Sequence, residues 1–291
     1  MTGALALLEA MRPKQWPKNL LVLGAPLAGG RLLDTGVLTS ASVALVVFIL
    51  ASASVYLLND VIDRDRDLQH PVKRHRPIAR GAVSVRTAAG SSVMLALLAV
   101  AGAAATGRPG LVAVIAGYLA MSSAYSRWLK HQPLIDVTVI AAGFLLRAAA
   151  GGIATDTPLS TLFLITATAG ALFIAAGKRS SELARLDGGS PSTRPTLSGY
   201  SEGFLRTLVI VALTVTIVGV ALWAIEVAGA SPRPVAARAA IAPFALLLLR
   251  YAWWIDRGEA EAPEDVLRRD PLLGVLALIG LALMQFGLSG G

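Results

Sequence analysis

Apolar residues along this chain fall in blocks of about 20, the length a helix needs to cross the hydrocarbon of a bilayer, and the charged residues gather between the blocks. The blocks predict nine spans, near 17–34, 37–58, 86–106, 109–128, 134–154, 158–177, 204–229, 235–255 and 271–288. They are rich in Ala, Gly, Leu and Val, which suits close helix packing in lipid. The expected fold is therefore all-α and integral to a membrane: one polytopic domain over 1–291, with no internal repeat or low-complexity tract. Two extended polar segments stand out, 59–85 and 178–203. Long loops of dense mixed charge serve no purely structural need in such a protein, so function is expected there.

Charge fixes the expected orientation. Of 26 Lys and Arg residues, only Arg31, Arg108, Arg233 and Arg238 fall on the side opposite the N-terminus, and Arg147 lies inside a span. The positive-inside rule then makes the N-terminus and both polar segments cytoplasmic, and an odd number of spans puts the C-terminus outside. A multi-pass protein of the plasma (inner) membrane with a cytoplasmic site follows. Composition agrees: 55% of residues are hydrophobic and 15% charged, against about 25% charged in soluble domains. The net charge of +8 needs no nucleic-acid partner, because the topological bias explains most of it and anionic lipid or phosphate substrates the rest. With no cysteine, disulfides, thiolate catalysis and cysteine-bound metals are excluded. Residues 1–12 lack a signal-peptide cleavage site and read as a short interfacial helix. The sequence is compatible with a homo-oligomer and does not specify one.

The first polar segment carries the sharpest chemistry. Asn59, Asp60, Asp63 and Asp67 sit at helical offsets 0, 1, 4 and 8, within one arc of about 100°; Asp65 points the other way. Oxygen side chains on one helix face at the mouth of a span make a hard-cation site. Magnesium favours one or two carboxylates together with substrate phosphate oxygens. Lys73, Arg74, Arg76 and Arg80 follow at once. Acidic then basic is the order a metal-bridged diphosphate needs, since the cation neutralises part of the charge and Arg and Lys take the remaining oxygens.

The run Asn59-Asp60-x-x-Asp63-x-x-x-Asp67 resembles the first Asp-rich motif of the UbiA superfamily of membrane prenyltransferases, and the resemblance covers nearly the whole chain. It implies a nine-helix UbiA-like bundle and magnesium dependence. Within the superfamily the chain is most similar to the branch that attaches phosphoribosyl groups to decaprenyl phosphate for mycobacterial cell-wall arabinan. That likeness rests on Arg12-Pro-Lys-Gln-Trp-Pro-Lys-Asn19, Tyr125-Ser-Arg-Trp-Leu-Lys130, Asp136 through Gly143-Phe144-x-x-Arg147 to Gly152, and Gly177-Lys-Arg-x-x-Glu-Leu183.

Where other members carry a second Asp-rich motif, this chain reads Lys178-Arg179-Ser180-Ser181-Glu182. With Arg185 on the same face, one acid and three bases make a poor metal site and a good phosphate site. That departure suits phosphoribosyl pyrophosphate, whose 5-phosphate adds to its diphosphate, better than a prenyl diphosphate. Asp136 opens the fifth span, and Arg147 lies eleven residues further on, about 16 Å deeper on the same face. An arginine at that depth must face protein, water or an anion, and Gly143 and Gly151 leave room beside it for a cavity, with a lipid phosphate or a pairing carboxylate as the candidate partner. Tyr125 and Lys130 lie on the cytoplasmic rim; Lys18 and Asn19 open the first span and are placed to close the site. His70, His75 and His131 show no metal-ligand spacing.

Three functions fit these features unequally. Transfer of phosphoribosyl from phosphoribosyl pyrophosphate to a polyprenyl phosphate fits best. Prenyl transfer to an aromatic or quinone-precursor acceptor shares the acidic site. Transport fits least, because transporters place polar groups near the midplane and here nearly all lie toward one face.

Overall fold

The computed structural model describes residues 3–187, 197, 199–229 and 231–288. Among these there are helices and turns and no strand. Among the described residues, eight helical stretches are long and apolar enough to cross a membrane: Thr35–Ile62, Val85–Ala105, Pro109–Arg127, Ile135–Thr155, Thr161–Arg185, Glu202–Gly229, Pro234–Asp256 and Pro271–Leu288. Seven lie within a few residues of an expected span, and Thr161–Arg185 runs eight residues past the expected end at 177.

The exception is the first expected span, 17–34. Residues Gly3–Ala10 form α1, as the interfacial helix was expected to, but Pro13–Leu23 winds as a 3₁₀ helix and Gly24–Ala28 as the short α2. Pro13, Pro17 and Pro26 are the reason. Each lacks an N–H and crowds the preceding turn, so a continuous α-helical ladder cannot form. Eleven residues at about 2 Å and five at about 1.5 Å still cover roughly 30 Å.

The chain divides into two compact units. The first holds the chain up to Ala25, Asp34–Gln132 and Leu146–Thr157. Its helices are α3 (Thr35–Ile62), α4 (Arg64–Gln69), α5 (Val85–Ala105), α6 (Pro109–Arg127) and the later part of α7 (Ile135–Thr155). Phe48, Ala51, Leu111, Ile115, Tyr118 and Ala154 form one core. Ala10, Leu57, Ile78, Val83 and Leu95 form another, which pins α1 and the loop after α4 onto α3 and α5. Ser54 and Ser92 lock α3 to α5, each hydroxyl donating to the other residue's carbonyl at 2.8 and 2.9 Å, the small-residue contact expected between helices in lipid.

The second unit holds Pro26–Leu33, Pro133–Leu145 and the chain from Pro158 onward. It contains α8 (Thr161–Asp187), α9 (Glu202–Gly229), α10 (Pro234–Ala239), α11 (Ile241–Asp256), α12 (Pro263–Arg269) and α13 (Pro271–Leu288). Phe173, Val209, Tyr251 and Ile255 centre one core, and Ala224, Ala237 and Met284 another. The segment 178–203 was expected as a polar loop. Its first part continues α8 instead, and residues 188–196 and 198 lie outside the described residues.

Candidate functional site

In the first unit, the last turn of α3 carries Asn59 and Asp60 beyond its apolar stretch, and α4 carries Asp67. The helix is broken at Asp63, which caps the end of α3 and the start of α4. The ladder nevertheless passes through: Asp63 N–H donates to Asn59 O at 2.9 Å and Asp67 N–H to Asp63 O at 2.8 Å. The expected face therefore survives. Asp60 and Asp67 are buried, Asp63 is half-buried, and the side chain of Asp65 is 89% exposed beside Arg64.

Basic side chains close on these acids from three directions. Arg76 Nη1 donates to Asp60 Oδ1 at 3.0 Å and to Asp67 Oδ2 at 2.6 Å, so one nitrogen bridges two carboxylates. Arg12 also donates to Asp60 Oδ1. Lys130, in the short 3₁₀ turn Leu129–His131, donates to Asp63 Oδ1 at 2.6 Å. Arg80, expected on a phosphate, reaches Glu9 of α1 at 2.8 Å. Burial of Ile78 anchors the loop that presents Arg76. A cavity of about 260 Å³ opens here, lined by Glu9, Arg12, Asp60, Val72, His75 and Arg76.

Burial raises the Asp67 carboxyl above its ordinary range, Arg76 pulls it back, and the nearby Asp60 adds to the rise. His131 is pushed down by burial and by the positive charges of Arg66 and Lys130. Arg12 takes a left-handed conformation at φ 55°, which costs about 1 kcal/mol in a residue with a side chain and gathers at functional positions.

The donor set suits a hard cation. Asp60 and Asp67 converge on one point, and that point holds a cationic nitrogen. Among the described residues no three acidic or histidine groups converge on one position, so the four-residue set Asn59, Asp60, Asp63 and Asp67 is not assembled as one ligand shell. Asp63 is drawn to Lys130 instead. Two carboxylates and a remainder supplied by a diphosphate match magnesium's habits. Of the other expected residues, Lys73, Arg74, Tyr125 and Lys18 are half-buried or exposed, and Lys73 contributes a downward pull on Asp67.

Asn19 and Arg147 are buried together. Arg147 Nε donates to Asn19 Oδ1 at 2.9 Å and its Nη2 to Tyr118 Oη at 3.1 Å, while the rings of Phe48 and Tyr118 lie 5.1 and 5.0 Å from the guanidinium carbon. Asn19 in turn donates to Ser52 at 3.1 Å. The room expected at Gly151 is filled: a Cβ there would lie 1.8 Å from Val22 O. Arg147 thus ties the 3₁₀ segment to α6 and α7 through protein partners.

In the second unit, Arg179 is likewise buried. Its Nε donates to Asp136 Oδ2 and its Nη1 to Glu182 Oε2, both at 2.6 Å. Tyr200 donates to Asp136 Oδ1 at 2.5 Å and accepts from Leu134 N–H at 2.6 Å. Burial first, and the bond to Asp136 second, push the Tyr200 hydroxyl up to about 12. Arg179, Glu182 and Asp136 therefore form an internal network; Lys178 is half-buried, and Arg185, expected on the same phosphate face, donates to Glu261 Oε2 at 2.8 Å. Sequence reasoning gave no site role to Arg12, Glu9 or Tyr200. Arg12 at least lay within a quoted motif; Glu9 and Tyr200 carried no spacing signal.

The sequence matches the UbiA prenyltransferase family over residues 20–279. It is 42% identical over 287 residues to the decaprenyl-phosphate phosphoribosyltransferase of Mycobacterium tuberculosis, covering 97% of this chain and 94% of that one. To the protein of the same name from Corynebacterium glutamicum it is 38% identical over 279 residues, covering 94% and 83%. In structure it is similar to a UbiA homolog from Archaeoglobus fulgidus bound to GPP and Mg2+, with a TM-score of 0.73, 19% identity, and 96% and 99% of the two chains covered.

Proposed function

This chain belongs to the UbiA prenyltransferase family of membrane transferases, and from that premise we infer that it moves the 5-phosphoribosyl group of phosphoribosyl pyrophosphate onto a polyprenyl phosphate such as decaprenyl phosphate. The observation that carries the reading is the buried pair Asp60 and Asp67 bridged by Arg76 beside a cavity, a place made for cation and diphosphate together. The near-full-length likeness to phosphoribosyltransferases favours this donor over a prenyl diphosphate.

Asp60 and Asp67, with Asn59 and Asp63 beside them, would hold magnesium. When bound, magnesium neutralises charge on the diphosphate as it leaves. Arg76, Arg12, Lys73, Arg74 and Arg80 take diphosphate oxygens, and Lys130, Tyr125 and Lys18 border the acidic group. Within the second unit, Lys178 is a proposed phosphate ligand, with Arg179, Glu182 and Asp136 fixing the helix that carries it. A phosphate oxygen of the lipid forms a bond to the anomeric carbon as the bond from that carbon to the diphosphate oxygen breaks, and pyrophosphate departs. The lipid phosphate is an anion at neutral pH, so no general base is required. Charge grows on the leaving group, so the basic side chains favour the transition state over the ground state.

We further place the site on the cytoplasmic face of the plasma membrane, on the asymmetry of Lys and Arg. The proline-broken segment up to Ala28 serves as a ninth crossing, which leaves the C-terminus outside. Pyrophosphate release by purified protein in lipid nanodiscs tests the reading. It should require phosphoribosyl pyrophosphate, polyprenyl phosphate and a divalent ion together, and chelation should abolish it.

A further inference from the structure

We propose that Arg12 and Arg76 are resident counter-ions of the acidic site, which exclude free divalent metal and are displaced only when metal arrives with a diphosphate. The proposal rests on the site assignment above and adds an order to it: metal and donor enter together.

Three observations carry it. First, the two guanidiniums meet at a single oxygen, Asp60 Oδ1, and Arg76 spans to Asp67 as well. Two buried carboxylates thus already have the positive charge that burial demands. A lone divalent ion would have to push both guanidiniums aside and then sit next to them, which like-charge repulsion opposes. A diphosphate removes that obstacle, because its oxygens give the displaced guanidiniums new and stronger partners. Second, both arginines have room to turn. Their side chains are 22% and 25% exposed, against 2% for Asp60, and both line the same cavity. The backbone after Arg76 is held by buried Pro77 and Ile78, so the movement required is of the side chain alone. Third, Arg12 makes its contact from a left-handed backbone at φ 55°, a conformation that gathers at functional positions.

Displacement couples the two ligands: each raises the affinity of the other by the same factor. Arg76 must then oppose metal binding when the donor is absent and assist donor binding when it is present. Those are opposite signs for one side chain, which a structural role does not produce.

The experiment titrates Mn2+ alone into purified, donor-free protein and reads free Mn2+ by its paramagnetic resonance signal. Wild type should bind weakly, Arg76→Gln about tenfold more tightly, and Asp60→Asn not measurably. With Mn2+ saturating, Arg76→Gln should bind phosphoribosyl pyrophosphate less tightly than wild type. Should Arg76→Gln fail to fold, Arg12→Gln carries the same two expectations. Unchanged or weaker Mn2+ binding by Arg76→Gln, with binding still lost in Asp60→Asn, overturns the displacement and leaves the site assignment standing. Mn2+ binding indifferent to both Asp60→Asn and Asp67→Asn overturns both.

Discussion

Lys130 Nζ lies 2.6 Å from Asp63 Oδ1, and the pair fastens the turn after α6 to the junction of α3 and α4, with side chains only 14% and 17% exposed. Asp63 is thereby held in place between Asp60 and Asp67 while facing a cation of its own. Asp63→Asn should lower kcat/KM by about a hundredfold or more, and Lys130→Met by about tenfold. Asp65→Asn should stay within about twofold, since that side chain faces solvent. Steady-state kinetics on the three variants, with intact folding checked by gel filtration, decides the matter; equal sensitivity of Asp65 and Asp63 contradicts it.

Arg147 is satisfied by Asn19, Tyr118 and two aromatic faces. Arg147→Met should therefore cost about 1–3 kcal/mol of stability and reduce turnover without selecting between substrates. Thermal unfolding in detergent and separate KM values for donor and lipid check this. A lipid-only rise in KM with unchanged melting would return Arg147 to the lipid phosphate.

The membrane helices were legible because bilayer thickness imposes a length on apolar runs, and eight of the nine expected spans are long helices. The first is wound differently, because hydropathy counts apolar residues and ignores what Pro13, Pro17 and Pro26 do to the ladder. The acidic face was legible for the same reason helices are: Asp60 and Asp67 share a face at fixed spacing, and Asp65 does not. What spacing cannot show is who answers a charge across the fold. Arg12 lies 48 residues from Asp60, Arg179 lies 43 from Asp136, and Arg147 lies 128 from Asn19. Isolated in the sequence, Arg147 and Arg179 read as sites for an anion, and each turns out to have protein partners.

Tyr200 bonds both Asp136 and the Leu134 amide. Removing its hydroxyl leaves the buried Asp136 carboxylate and the Leu134 amide each one bond short, so Tyr200→Phe should lose about 1–3 kcal/mol. The native proton is held to about 12, above the ordinary tyrosine value near 10. The raised value means this contribution is complete below about pH 10 and fades only as pH rises through about 12. The wild-type to Tyr200→Phe difference in melting temperature should accordingly be flat from pH 6 to about 9. A difference that shrinks across that window contradicts the assignment.

At Gly151 any side chain meets the Val22 carbonyl, whereas at Gly90 in α5 an added Cβ meets nothing within 4 Å. Gly151→Ala should destabilise by about 3 kcal/mol or more as the 3₁₀ segment is forced away. Gly90→Ala should be neutral or stabilise by about 0.5–1 kcal/mol. Melting temperatures of the two variants, compared in one detergent, test the seating of that segment on α7.

The central claim is the identity of the transferred group. Purified protein with magnesium and polyprenyl phosphate, given phosphoribosyl pyrophosphate labelled in its ribose, should yield a labelled lipid with one label per lipid phosphate, and Asp60→Asn should yield none. No labelled lipid from phosphoribosyl pyrophosphate, beside a prenylated product when a polyprenyl diphosphate and an aromatic acceptor are supplied instead, would contradict it.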